Sequence, residues 1–162
     1  MRTISGKLSV RASRWGGVDS LLMMTDSPPC LLLCEDDASA RRALGVYLRQ
    51  AGYQVDEAAD GGAAIRMLKT MRVDLVLLDL QMPGGDGFAV LNYLHEHRQA
   101  LPVLLMTGLP PEQIQDRMQG LKRRELPPLL MKPINPEQVL QLVELQLAGQ
   151  LPTPGSQGLE AV

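Results

Sequence analysis

The stretch V-D-L-V-L-L-D-L-Q-M-P-G-G-D-G, residues 73–87, decides how this chain is read. It opens as a short apolar run with a β-branched bias, Val73 to Leu78, whose length and composition predict a buried strand of a parallel sheet. The run ends on a carboxylate, Asp79, and breaks at once into Pro83, Gly84, Gly85 and Gly87. A strand that stops there leaves its last acid on the rim of the sheet. In open α/β sheets the carboxyl ends of the strands are where ligands bind. Taken alone, Asp79 reads equally well as a turn-capping residue. The other strand ends decide between the two.

Working outward, Leu31 to Cys34 form a first buried strand that ends in three acids, Glu35, Asp36 and Asp37. A helix follows, with Ala40, Ala43, Leu44, Tyr47, Leu48 and Ala51 spaced as one apolar stripe and Arg41, Arg42 and Arg49 off it. Gly52 stops that helix. Tyr53 to Glu57 reads as a half-polar edge strand. Asp60 can cap a second helix lined by Ala64, Ile65 and Leu68. Beyond the central strand, Phe88, Leu91 and Leu94 or His95 mark a third helix. His95 and His97 lie two apart on it, face different ways and form no metal pair. Pro102 to Met106 is a fourth strand, ending at Thr107-Gly108. A short helix runs from Pro110-Pro111 through Ile114 and Met118, followed by the polar segment Lys122, Arg123, Arg124 and Glu125. Leu129 to Met131 is a fifth strand, ending at Lys132-Pro133. Asn135-Pro136-Glu137 starts a last helix with Val139, Leu140, Val143 and Leu147 inward.

Strands and helices therefore alternate, which predicts an α/β fold with a parallel sheet covered on both faces. At 162 residues the chain accommodates one such domain. Aromatic content of 3% makes the core one of Leu, Val, Met and Ala. A net charge of −2 gives no global field that favours nucleic acid or an anionic membrane, and no apolar run is long enough to span a bilayer. Cys30 and Cys34 read as small buried hydrophobes in a reducing, cytoplasmic setting. Residues 1–29 carry Arg2, Lys7, Arg11 and Arg14 but no sustained period. They are expected to be a disordered extension, or a start-site artefact ahead of Met23 or Met24, rather than a targeting segment. Residues 149–162 read as a disordered tail around a domain spanning 30–148.

The strand ends then present Glu35-Asp36, Asp79, Thr107 and Lys132. Carboxylates brought to one rim repel, each pair near 4 Å by about 4 kcal/mol at an effective dielectric of about 20. Holding them ionised calls for a cation, and an all-oxygen ligand set suits magnesium. A metal-bound carboxylate beside a hydroxyl and a lysine can accept a phosphoryl group: Asp79 as nucleophile, Lys132 and the cation against the charge on the transferring oxygens, Thr107 as hydrogen-bond donor.

With C-E-D-D at 34–37, D-L-Q-M-P-G-G-D-G at 79–87, M-T-G at 106–108 and M-K-P at 131–133, the chain from about Cys30 to Ala148 resembles the receiver domain of two-component response regulators. Each motif alone is common; the four in this order and spacing are specific. The resemblance implies a doubly wound, flavodoxin-like five-stranded sheet of order 2-1-3-4-5. It implies Asp79 as the residue phosphorylated by a histidine kinase or phosphotransfer protein, and Glu35, Asp36, Asp79 and the carbonyl of Gln81 as magnesium ligands. Thr107 and Lys132 are implied as contacts of the phosphoryl group, and Asp37 as a capping or supporting residue. It also implies slow self-dephosphorylation, gated by the flanking residues Gln81 and Leu109, in a switch rather than a turnover enzyme.

Three departures qualify the likeness. The position three before the lysine, commonly aromatic in the family, is Leu129. The segment before the fifth strand reads L-K-R-R-E-L-P-P, residues 121–128. Too few residues follow Ala148 for a helix-turn-helix, so the expectation is a receiver without an output domain, acting on a separate and unidentified protein partner and not on nucleic acid or membrane. Two other readings compete: a scaffold that binds partners without phosphorylation, and a magnesium-dependent aspartyl phosphohydrolase. The latter usually carries an acid two places beyond its nucleophile, where this chain has Gln81.

Overall fold

The protein is described here from a computed structural model, over residues 27–83, 86–98, 100–120 and 126–149. The expectations for residues 1–26 and 150–162, and for the polar segment at 121–125, fall outside the described residues. In chain order the elements are β1 (Cys30–Cys34), α1 (Ala38–Gln50), β2 (Gln54–Ala58), α2 (Gly61–Thr70), β3 (Leu75–Asp79), α3 (Asp86–His97), β4 (Val103–Thr107), α4 (Pro111–Met118), β5 (Leu129–Met131) and α5 (Pro136–Leu147). The five strands form one sheet in the order β2-β1-β3-β4-β5, every pair parallel. This is the doubly wound order expected.

The central strands are buried along their whole length, so C-L-L-L-C, L-V-L-L-D and V-L-L-M-T carry no polar alternation. Period two then sorts their side chains between two cores. Leu31, Leu33, Leu75, Leu77, Leu104 and Met106 pack with Leu44 and Leu48 of α1 and with Val139 and Val143 of α5. Leu32, Cys34, Val76, Leu78, Val103 and Leu105 pack on the other face with Ala64 and Leu68 of α2, Leu91 and Leu94 of α3, and Ile114 of α4. Each leucine so buried contributes about 2 kcal/mol over leaving it in water.

The helices start where side chains accept from orphan backbone N–H groups. Asp37 takes the N–H of Ala40, Asp60 that of Ala63, and Asn135 that of Glu137, with Pro136 at the first turn of α5. Asp37 is therefore the cap of α1. Gly52, at φ 103°, turns the chain after α1 into β2, a backbone setting that side chains rarely adopt.

Two expectations shift. The central strand begins at Leu75, not Val73, because Asp74 reaches Cys30 through its own N–H and through its carboxylate at 2.8 Å, ahead of the regular ladder. On α1 the buried line is Leu44, Gly45 and Leu48, with Ala40 and Ala43 exposed and Arg41 half-buried. A glycine contributes little to an apolar stripe, so hydropathy alone mis-sets the helix by part of a turn. Among the described residues, no helix is long and apolar enough to cross a membrane.

Both cysteines are buried and unpaired. Burial pushes each thiol up to about 12, reinforced at Cys30 by its hydrogen bond to Asp56 at 3.2 Å. With the thiolate suppressed, neither is nucleophilic near neutral pH. The folded protein should therefore resist a chromogenic thiol reagent at mildly alkaline pH and release two reactive thiols only in denaturant. Rapid labelling without denaturant would show that β1 is not buried between β2 and β3.

Candidate phosphoacceptor site

The register of the sheet assembles the site. Cys34 pairs with Leu78, so the residue that follows β1, Glu35, comes level with Asp79. Asp79 pairs with Met106, so Thr107 lies one step further along β4. Thr107 pairs with Met131, so Lys132 follows at the end of β5. Backbone hydrogen bonds continue past the strand ends, from Glu35 N–H to Ala58, from Leu80 N–H to Met106 and from Lys132 N–H to Thr107. Residues nearly a hundred positions apart thereby share one rim.

Asp79 and Thr107 are fully buried and Glu35 is 4% exposed, whereas Asp36 is open to solvent. One carboxylate oxygen from each of Glu35, Asp36 and Asp79 lies within 4.8 Å of the others. Lys132 answers the two buried acids together: its Nζ is 2.7 Å from Asp79 Oδ2 and 2.8 Å from Glu35 Oε2. The remaining oxygens are held by backbone. Asp79 Oδ1 accepts the N–H of Gln81 at 2.7 Å, and Glu35 Oε1 that of Asp37 at 3.1 Å. Charge-assisted bonds of this length are the stronger kind and fix carboxylate orientation.

Burial raises the Glu35 carboxyl above its ordinary value. The bonds from Lys132 and Asp37 oppose the rise and the charge of Asp79 adds to it. Burial also disfavours the charged form of Lys132, but its bonds to Asp79 and Glu35 outweigh that and hold the ammonium above its ordinary value. The lysine's contribution to stability is therefore complete below pH 10.5 and lost only as pH rises through the folded value.

Two further contacts brace the rim. Thr107 Oγ accepts the N–H of Leu109 at 3.0 Å, and Gln81 Oε1 accepts the N–H of Gly108 at 2.9 Å, linking the loops after β3 and β4. A Cβ on Gly108 would stand 2.8 Å from that glutamine oxygen, so the glycine keeps the link open. A Cβ on Gly87 would collide with the carbonyl oxygen of Asp79 and lie 2.6 Å from Leu80 Cα. The first turn of α3 thus packs directly on the backbone that presents Asp79.

The structure brings together Glu35, Asp36, Asp79 and Lys132 of the residues expected from sequence. It places Thr107 on the neighbouring strand end and Gln81 against both Asp79 and Gly108. Sequence reasoning did not find the bond between the Gln81 side chain and Gly108, the packing role of Gly87 or the inward turn of Arg41. The G-G-D-G run hinted at the second; nothing in hydropathy marked the others.

Replacing Lys132 by Met leaves Glu35 and Asp79 buried together without a cation. The expected cost at neutral pH is about 2 to 4 kcal/mol in denaturant unfolding. Because the Glu35 carboxyl is held above its ordinary value, it is the acid that takes up a proton as pH falls. The deficit of Lys132→Met should therefore shrink toward acidic pH, and a deficit that stays constant or grows would contradict the coupling.

Comparison with known proteins accords with this geometry. The sequence pattern of the response regulator receiver domain matches residues 31–144. Transcriptional activator protein PfeR of Pseudomonas aeruginosa is 42% identical over 95 residues, covering 59% of this chain and 30% of that protein. Transcriptional regulatory protein ResD of Bacillus subtilis is 38% identical over 92 residues, covering 57% and 37%. The chain thus spans only about a third of these relatives' length. Among solved structures, the signal receiver domain of a histidine kinase from Syntrophus aciditrophicus superposes with a TM-score of 0.67 at 25% identity, covering 83% of this chain and 96% of that one. The response regulator TrrA of Thermotoga maritima, solved in complex with Mg(2+)-BeF, gives 0.62 at 23% identity, covering 74% and 98%, a likeness of fold. A family pattern that spans most of the chain, on a sheet of this order with these acids on its rim, places the protein: it belongs to the receiver domains of two-component response regulators.

Proposed function

We propose that Asp79 accepts a phosphoryl group from a phosphohistidine, on a histidine kinase or phosphotransfer protein, and that the change is passed to a protein partner through the loops around the site. The observation that carries this reading is the single lysine bonded at once to Asp79 and Glu35, with three carboxylates in reach of one cation.

The donor set fits magnesium. One oxygen from each of three carboxylates lies within 4.8 Å of the others, an all-oxygen donor set of the kind magnesium takes. Glu35, Asp36 and Asp79 would hold the ion, with the main-chain carbonyl of Gln81 as a further ligand. Bound there, it offsets the charge of the acids and of the incoming phosphoryl oxygens.

The chain's own residues supply the rest. The N–H of Gln81 and the ammonium of Lys132 orient the Asp79 carboxylate. One of its oxygens forms the new bond to phosphorus as the phosphorus–nitrogen bond of the donor breaks, and the imidazole leaves with the electron pair and takes a proton from water. The product is an acyl phosphate. Lys132, released from Asp79, pairs with a phosphoryl oxygen, and the Thr107 hydroxyl donates to another after giving up the N–H of Leu109. Water later attacks phosphorus, releasing inorganic phosphate and restoring the carboxylate. Leu129 is half-buried and aliphatic, so the movement of Thr107 reaches the surface without an aromatic swing. The loop links at Gly108 and Leu109 are the route proposed instead.

Purified protein given magnesium and a small-molecule phosphodonor should become an acid-stable, base-labile phosphoprotein. Chelation of the metal should suppress labelling, and Asp79→Asn should abolish it. Full labelling of Asp79→Asn would remove Asp79 as the acceptor.

A further inference from the structure

Arg41 stands off the apolar stripe of the first helix in sequence, yet its side chain is only 18% exposed. Its Nη1 donates to the carbonyl of Glu35 at 2.7 Å and, at the longer distance of 3.4 Å, to that of Asp36. Its Nε lies 3.3 Å from Glu57 Oε2 on β2. Glu57 is gripped from the other side by Arg49 at 2.9 Å, and Arg49 also donates to the carbonyl of Val55 at 2.7 Å. Gly45 makes room for this arrangement. A Cβ there would stand 2.7 Å from Glu57 Oε1 and 3.1 Å from the Arg49 guanidinium. A continuous set of charged contacts therefore runs from the edge strand, through Arg41, to the two peptide groups that carry the acid pair.

The planar guanidinium suits this task, since it offers several donors in a fixed fork. By holding the carbonyls of Glu35 and Asp36 it fixes the peptide planes from which both side chains depart. Asp36 has most need of such support, being exposed to solvent. We propose that Arg41 is a positioning residue for the divalent-cation site. It anchors the loop after β1 to β2, so that Glu35 and Asp36 are pre-aligned with Asp79, and it touches neither the ion nor the phosphoryl group. The proposal rests on the phosphoacceptor reading above and names the element that sets its metal affinity.

The sign of the effect separates this role from simple electrostatics. Arg41 is a cation near a cation site. Removing its charge, on Coulomb grounds alone, strengthens magnesium binding. Removing an anchor weakens it. The test is magnesium titration by calorimetry on the full chain, with unfolding midpoints in chelator measured alongside. Arg41→Gln should weaken magnesium binding by about tenfold, the scale seen for supporting residues around metal ligands. Its phosphorylation defect should appear in the magnesium concentration required rather than in the rate at saturation. Arg41→Lys, which keeps the charge without the fork, should recover part of the affinity, and Glu57→Gln should weaken binding in the same direction as Arg41→Gln. Affinity that is unchanged or tighter in Arg41→Gln overturns the proposal, as does a fall in stability with affinity unaltered. Should Arg41→Gln fail to fold, wild-type affinity in Arg41→Lys overturns it instead. Absence of magnesium binding by the wild-type protein sinks the phosphoacceptor reading itself, and the role of Arg41 with it.

Discussion

Two carboxylates buried at the ends of adjacent strands constrain everything around them. Glu35 and Asp79 are each almost wholly removed from water, and they share one ammonium, that of Lys132. Neither acid is comfortable there alone, because a buried charge without a partner costs several kcal/mol. The lysine has to arrive from a strand that is three places away in the sheet from the one that leads into Glu35. The local rim geometry therefore depends on the register of all the intervening strands. A slip of one residue in any of them would turn the acid or the lysine to the wrong face.

This dependence explains why the surrounding residues are less free than surface loops usually are. Gly87 lets α3 start against the carbonyl of Asp79, and Gly108 leaves space for the Gln81 side chain. The loops after β3 and β4 are joined by the Gln81–Gly108 bond, and the Thr107 hydroxyl is already engaged by Leu109. The charges at the site are thus tied to two loops by hydrogen bonds that exchange partners at modest cost, each worth about 1 kcal/mol net.

The fold was largely legible because burial leaves a plain record in composition. Runs such as Leu31–Cys34 and Val103–Met106 are apolar on both faces, and their alternation with helical stripes admits few arrangements. The carboxylates and the lysine were legible because each follows such a run directly. Where reading failed, side chains did what hydropathy does not encode. Asp74 substitutes for ladder contacts and delays β3. Gly45 forms the contact face of α1, while Arg41 turns inward although both helix periodicity and its charge place it outside. Gln81 has the composition of a loop residue and the position of a strut.

The amino-acid order alone determined which residues end each strand, that those ends carry acids, a hydroxyl and a lysine, and that the strands lie parallel under helices. These follow from local chemistry, since hydrophobic runs, caps and glycines act within a few residues of themselves. Only the tertiary structure decided which atoms meet: that Lys132 divides itself between Asp79 and Glu35, that Gln81 spans two loops, and that Arg41 ties the acidic loop to Glu57. Such contacts depend on the register of non-adjacent strands and on how closely α1 approaches the sheet, distances that no single segment of the chain carries within it.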